Sequence, residues 1–247
     1  MTALISDMLM FSGENPPKLH EIVERLVRNS FKKKKNFFML IVGPPGSGKS
    51  YTALKFAEAV EPDFSPREQI IYVPEQFKEI FENLENSRKR VLIFDEAHVT
   101  IPSRRWFSFV NLSINTIMST FRQVKQLAVF FVAPSQNMID KQLRSLFEYY
   151  CVIHKELIPP GKPYVFGQLY EVGLNYYDLR DQNPYLRKLR IMWNGKIYKV
   201  GEMLIEPPSE KLAKEYEEVS LQFKKNVLYE MTVKLIGGGE SAKGKGK

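Results

Sequence analysis

The chain has 247 residues, 44% of them hydrophobic, which is ample for one large domain or for a domain with an extension, and its formal net charge of +8 favours polyanionic partners. No apolar run approaches the roughly 20 residues that span a bilayer. The longest, Leu127 to Ala133, has seven, and the start Met1 to Phe11 lacks the basic region of a signal peptide, so a cytoplasmic protein without membrane insertion is expected.

Residues 1–36 hold one predicted helix, Pro17 to Arg28, with Leu19, Ile22, Val23 and Leu26 at helical spacing for packing on the flank of a core. The run Lys32 to Lys35 reads either as a solvated face or as a contact for a polyanion. Six apolar residues, Phe37 to Val42, then stop at Gly43-Pro-Pro-Gly-Ser-Gly-Lys-Ser50. Gly43 and Gly48 bracket four residues and Lys49-Ser50 follows, the spacing G-x-x-x-x-G-K-[ST] of a phosphate-binding loop. A chance match in a Gly/Pro turn is the competing reading. The context argues against it, because a buried-type strand precedes the loop and a helical stretch, Tyr51 to Val60, follows.

Each residue type in this loop has a chemical task. Glycine permits the positive φ that turns backbone N–H groups inward on a polyphosphate, and the opening of the following helix adds its positive dipole end. Gly43, Pro44, Pro45, Gly46, Ser47, Gly48, Lys49, Ser50 and Tyr51 are therefore the candidate nucleotide-binding residues. Lys49 is expected on the β- and γ-phosphates of ATP, and the Ser50 hydroxyl on the bridging Mg2+.

A loop, Glu61 to Pro66, leads to a predicted strand, Gln69 to Val73, and Pro74 opens a predicted helix through Asn86. The next strand, Val91 to Phe94, is closed by Asp95-Glu96-Ala97-His98. An acid at the carboxyl end of a buried strand lies beside the phosphate loop, so Asp95 is the second candidate Mg2+ ligand, through water. Glu96 is the candidate base for the attacking water; ordinary loop charge is the alternative for the pair. The letters Asp-Glu-Ala-His suggest a helicase, but the Ser-Ala-Thr and arginine-rich motifs of that class are missing, and His98 has no metal-ligating cluster around it.

Arg104-Arg-Trp-Phe-Ser-Phe-Val110 is basic and aromatic. It reads either as a nucleic-acid contact or as packed aromatics with arginines facing a neighbouring subunit. A helix from Asn111 to Gln123, a strand from Leu127 to Val132, a helix from Met138 to Phe147 and a strand from Tyr149 to His154 follow. Gln136, just past its strand, should point at the γ-phosphate; capping the next helix is the alternative. Cys151, in mid-strand, is expected to be a small core residue rather than a reactive thiol. Alternating strands and helices give an α/β protein: a RecA-like P-loop core with a mostly parallel sheet flanked by helices.

Residues 37–157 resemble the FtsK and HerA superfamily of ring-forming DNA-pumping ATPases, and within it the small genome-packaging ATPases of viruses. The likeness rests on the phosphate loop, Asp95-Glu96, the stretch Thr120 to Gln136 and Asp140-Lys-Gln-Leu-Arg144. It implies an arginine before the fourth strand, a glutamine at its end and a second arginine after a short helix, places filled by Arg122, Gln136 and Arg144. The chain has Gln123 where the family often has His, so either Arg122 or Arg144 can be the finger that reaches a neighbour's site. The resemblance further implies sequence-independent contact with double-stranded DNA, a homo-oligomeric, hexameric ring, capsid or other assembly proteins as partners, and a place in the host cytoplasm or the virion. A conjugation or secretion ATPase of the same superfamily and an ATP-switched assembly protein are the rival functions.

Beyond Pro159 the character changes, and residues 158–236 are expected as an extension holding a β-hairpin and a long helix. Tyr164 to Val172 is strand-like, and Ile191 to Tyr198 is a hairpin whose Asn194-Gly195 suits a two-residue turn. Pro207-Pro-Ser caps an amphipathic helix with Leu212, Tyr216, Val219, Phe223 and Val227 on one stripe, expected to pack on the core or on another subunit. Residues 237–247 are low in complexity and read as a disordered basic tail.

Overall fold

Six consecutive apolar residues are stable in a strand only where both of its faces are covered. Strand β1 (Phe37–Val42) is buried at all six positions, and so is β4 (Ala128–Ala133); β3 (Val91–Phe94) is buried throughout. The computed structural model describes residues 17–95, 108–109, 112–113, 117, 125–135, 144, 146–157, 164–173, 185–193 and 195–237. The expectations for Glu96, His98, Arg104 to Phe107, Arg122, Gln123, Gln136 and residues 238–247 lie outside these.

Parallel pairing joins β1 to β4 and β4 to β3. It also joins β1 to β5 (Tyr149–Leu157) and β3 to β2 (Ile70–Ile71), so the parallel strands run β5-β1-β4-β3-β2. All five therefore present their carboxyl ends on one side, as the predicted mostly parallel sheet requires. The sheet does not stop at β5, however. Strand β6 (Tyr164–Gly173) pairs antiparallel with β5. Along the other side of β6 lie β10 (Glu202–Ile205) and β7 (Tyr185–Lys188). The segment after Pro159 thus widens the same sheet. Between β7 and β10, β8 (Arg190–Trp193) and β9 (Lys196–Lys199) form a separate hairpin, with Gly195 between them at φ +77°.

Alternate residues of β1 serve opposite cores, as strand geometry dictates. Phe37, Met39 and Ile41 join Ala53, Leu54 and Phe56 of α2 (Lys49–Val60) and Leu19, Ile22 and Val23 of α1 (Leu19–Lys32). The stripe of α5 (Glu210–Gly237) closes this side, with Leu212 buried and Tyr216, Val219 and Phe223 packed on the cluster. Phe38, Leu40 and Val42 face the other way, onto Ile80 and Leu84 of α4 (Phe77–Glu85). Cys151 is fully buried in the first cluster, and burial pushes its thiol up. Gly237, expected in the tail, is instead the last residue of α5.

The second strand is shorter than its sequence suggests. Gln69 ends a one-turn helix, α3 (Pro66–Gln69), with Pro66 in its first turn. The buried Gln69 amide donates to the Val91 carbonyl at 2.7 Å and to Glu61 at 2.7 Å, which holds it out of the ladder. On the far side, Gln76 Oε1 accepts from the Tyr72 and Val73 amides at 2.8 and 3.2 Å, so the chain turns after Ile71. The helix expected from Pro74 accordingly starts as a 3-10 turn, Pro74–Gln76, before α4.

Candidate functional site

The link from β1 to α2 is shaped by two left-handed residues, Gly46 at φ +73° and Gly48 at φ +85°. Most residues with a β-carbon take such angles only at a cost. Among the described residues nothing lies within 4 Å of the place a Gly46 side chain would take, so on their side the tip of the loop is open to a ligand. Lys49 is only 4% exposed, and its Nζ donates to the Pro44 carbonyl at 2.9 Å, across the mouth of the loop. Ser47 Oγ is buried with no hydrogen-bond partner among the described residues.

Strands β1 and β3 flank β4 and end on the same side, which brings the first turn of α2 to the end of β3. There the Ser50 hydroxyl donates to Asp95 Oδ1 at 2.9 Å. Asp95 is 4% exposed, and its second oxygen, Oδ2, accepts from the Tyr216 hydroxyl at 2.7 Å. Burial and the Asp95 charge push the Tyr216 phenol far up, and the Tyr72 phenol with it. Tyr51 stands edge-on to Tyr216, ring centres 6.1 Å apart, and its hydroxyl donates to Glu217. Burial and that carboxylate push the Tyr51 phenol up to about 12.

Among the described residues, no group of three or more His, Cys, Asp and Glu side chains is placed to hold a metal by itself. The Ser50 hydroxyl and Asp95 carboxylate are nevertheless hard oxygen donors side by side, which suits Mg2+, an ion that keeps several waters and completes its shell with phosphate oxygens. The chemistry of the donor set, the open loop and the Lys49 ammonium together fit a metal-bound polyphosphate.

The candidate residues of the loop and Asp95 thus converge. Glu96 and Gln136 lie outside the described residues; in sequence they follow Asp95 and Ser135, the last described residues after β3 and β4. Arg144 is helical and half-buried, and its charge opposes the burial that pushes Tyr150 up to about 12. Tyr150 belongs to the core on the α4 side, so Arg144 lies on the face of the sheet opposite α2.

Two features were not foreseen from sequence. The first is Tyr216 on Asp95. The second is a depression lined by Glu171, Arg187, Lys188, Arg190 and Lys199. Arg187 binds Glu171 at 2.9 Å, while Lys188, Arg190 and Lys199 make no ion pair among the described residues. All four cations are exposed, beside exposed Tyr185, Met192 and Ile197. The signal available was the run Arg187-Lys-Leu-Arg190 in a segment of alternating character.

Among the described residues no helix is long and apolar enough to cross a membrane. No curated protein matches the chain. Among solved structures it is similar to a KaiC-like protein from the hyperthermophilic archaeon Pyrococcus horikoshii OT3, at 13% identity over 68% of this chain and 90% of that one, TM-score 0.39. It is also similar to the N-terminal domain of zonular occludens toxin from Neisseria meningitidis, at 14% identity over 68% of this chain and 95% of that one, TM-score 0.29. Residues 39–154, from β1 to β5, match the family model for the ATPase family associated with various cellular activities (AAA). This stretch carries the phosphate loop and Asp95, and it is similar to the P-loop ATPase domains of that family.

Proposed function

We propose that the chain hydrolyses ATP to move double-stranded DNA, without regard to sequence, as a homo-oligomeric and hexameric ring of the FtsK/HerA kind, and that the DNA is a viral genome being packaged. The observation that carries the ATPase half is the convergence of Lys49, Ser50 and Asp95 at one end of the sheet. The triphosphate lies along residues 43–50, and Lys49 exchanges the Pro44 carbonyl for the β- and γ-phosphates. Ser50 and Asp95 would hold Mg2+, which when bound would neutralise charge on those phosphates. Glu96 takes the proton of the attacking water, and Gln136 contacts the γ-phosphate. An arginine of the adjacent subunit, Arg122 or Arg144, meets the charge that develops on the γ-phosphoryl oxygens.

The DNA half is supported by the depression between β7 and the β8–β9 hairpin. Four cations against one acid form a surface that attracts phosphates without reading bases. In this reading the protein works in the host cytoplasm or at the virion, with capsid or other assembly proteins as partners.

The test is ATP turnover with and without double-stranded DNA. Turnover should rise with DNA of any sequence, and binding should fall with salt at a log–log slope of about 0.9 per phosphate neutralised. Arg190→Glu with Lys199→Glu should flatten that slope and remove the stimulation while leaving DNA-free turnover in place. Turnover indifferent to DNA would favour the ATP-switched assembly protein instead.

A further inference from the structure

The family match ends at residue 154, yet the wall opposite the phosphate loop comes from much later in the chain. A cleft of about 700 Å³ separates Gly46 and Lys49 on one side from Tyr216, Ser220, Leu221 and Lys224 on the other. That volume is in the range of small-molecule sites. Residues 216, 220 and 224 follow one another at steps of four, so a single face of α5 looks onto the loop. A triphosphate lying on the loop would therefore be enclosed by α5.

The helix is held there at several points. Phe223 stacks on Tyr72 with ring centres 4.9 Å apart. Ser65 donates to Glu215 at 3.0 Å, and the Ser209 amide, just before α5, donates to Glu58 of α2 at 3.2 Å. Arg67 pairs with Glu218 at 3.0 Å, but with both side chains more than half exposed that pair contributes little. A further polar contact runs from the half-buried Tyr216 hydroxyl to the buried Asp95 carboxylate.

We propose that α5 is a wall of the nucleotide site and that Tyr216 is a positioning residue, fixing Asp95 so that its carboxylate meets the hydrated metal of the bound nucleotide. The inference rests on the reading of Ser50 and Asp95 as the magnesium pair. An ionised carboxylate offers about four acceptor positions. Ser50 and Tyr216 donate one hydrogen bond to each oxygen, which fixes the plane of the group. With phenylalanine at 216, Oδ2 would lose its donor and the carboxylate its orientation.

The test is equilibrium binding of a fluorescent ATP analogue, titrated with Mg2+ and repeated in EDTA, for the full chain and for Tyr216→Phe. Tyr216→Phe should need about 10-fold more Mg2+ for half-maximal binding, the equivalent of one hydrogen bond to a charged group, with affinity in EDTA unchanged. In an Asp95→Asn background the same substitution should no longer alter the Mg2+ requirement. An unchanged requirement in the single variant overturns the proposal. So does a lowered one, which would mean that Tyr216 competes with the metal. Equal losses with and without Mg2+ would make the residue merely structural. If the unsubstituted protein bound no nucleotide, the assignment of the ATP site itself would fail.

Discussion

Gly48 of the phosphate loop lies against Val165 of β6, so closely that a Cβ at residue 48 would stand 2.6 Å from Val165 Cγ2. The loop is thus braced by a strand outside the matched domain. Gly48→Ala would meet this contact in addition to left-handed strain, which costs about 1–2 kcal/mol for a residue with a side chain. The variant should melt earlier and bind ATP at least about 10-fold more weakly. Val165→Ala should destabilise less in the Gly48→Ala background than alone, because the two share one contact; additive melting shifts would break the link.

Lys49→Ala should abolish both nucleotide binding and hydrolysis, since the ammonium is the loop's own countercharge for the β- and γ-phosphates. Glu96→Gln should separate the two. Binding should survive while turnover falls by about 10²–10⁴-fold, the range for loss of a general base. Wild-type turnover in Glu96→Gln would move the base elsewhere.

The arginine finger is tested by mixing. An Arg122→Ala or Arg144→Ala subunit has an intact loop, and a Lys49→Ala subunit has intact arginines. If the finger acts between subunits, combining one arginine variant with Lys49→Ala should restore part of the hydrolysis that each lacks alone, and activity per subunit should rise with protein concentration. The rescuing pair identifies which arginine acts. Full activity at every dilution, untouched by either arginine substitution, would remove the ring from the mechanism.

Glu148, which precedes β5, offers a pH test of the fold. Burial raises its carboxyl above the ordinary value of 4.5, against the pull of Lys35, Lys33 and a Ser30 hydrogen bond. Between the unfolded and the raised folded value the native state holds the proton more tightly. Stability therefore falls as pH rises through that window and stays reduced above it. Glu148→Gln should unfold like the parent protein near pH 4 and at higher denaturant than the parent at pH 7. Equal midpoints at both pH values would count against the raised value.

What could be read from sequence was what depends on neighbours in the chain. The phosphate loop, the β3 strand with Asp95 behind it, and the Asn194-Gly195 hairpin are local patterns. The widening of the sheet by β6, β7 and β10 is not, because antiparallel pairing onto β5 depends on which free edge the core leaves. Gln69 reads as strand by its neighbours, yet its amide is satisfied by Val91, 22 residues away. Tyr216 fits an apolar stripe and reads as packing. Its partner, Asp95, is 121 residues distant, and the one hint was a hydroxyl in a buried stripe, which has to find an acceptor.

The brevity of β2 has a consequence for assembly. A strand at the rim of a sheet exposes a row of donors and acceptors on which another chain can add a strand. Here that row is two residues long, and past it the Tyr72 and Val73 amides are already spent on Gln76. Among the described residues this border therefore offers another chain no rail of backbone groups to zip onto, and a contact made here would run through side chains, one that can be released without tearing backbone hydrogen bonds.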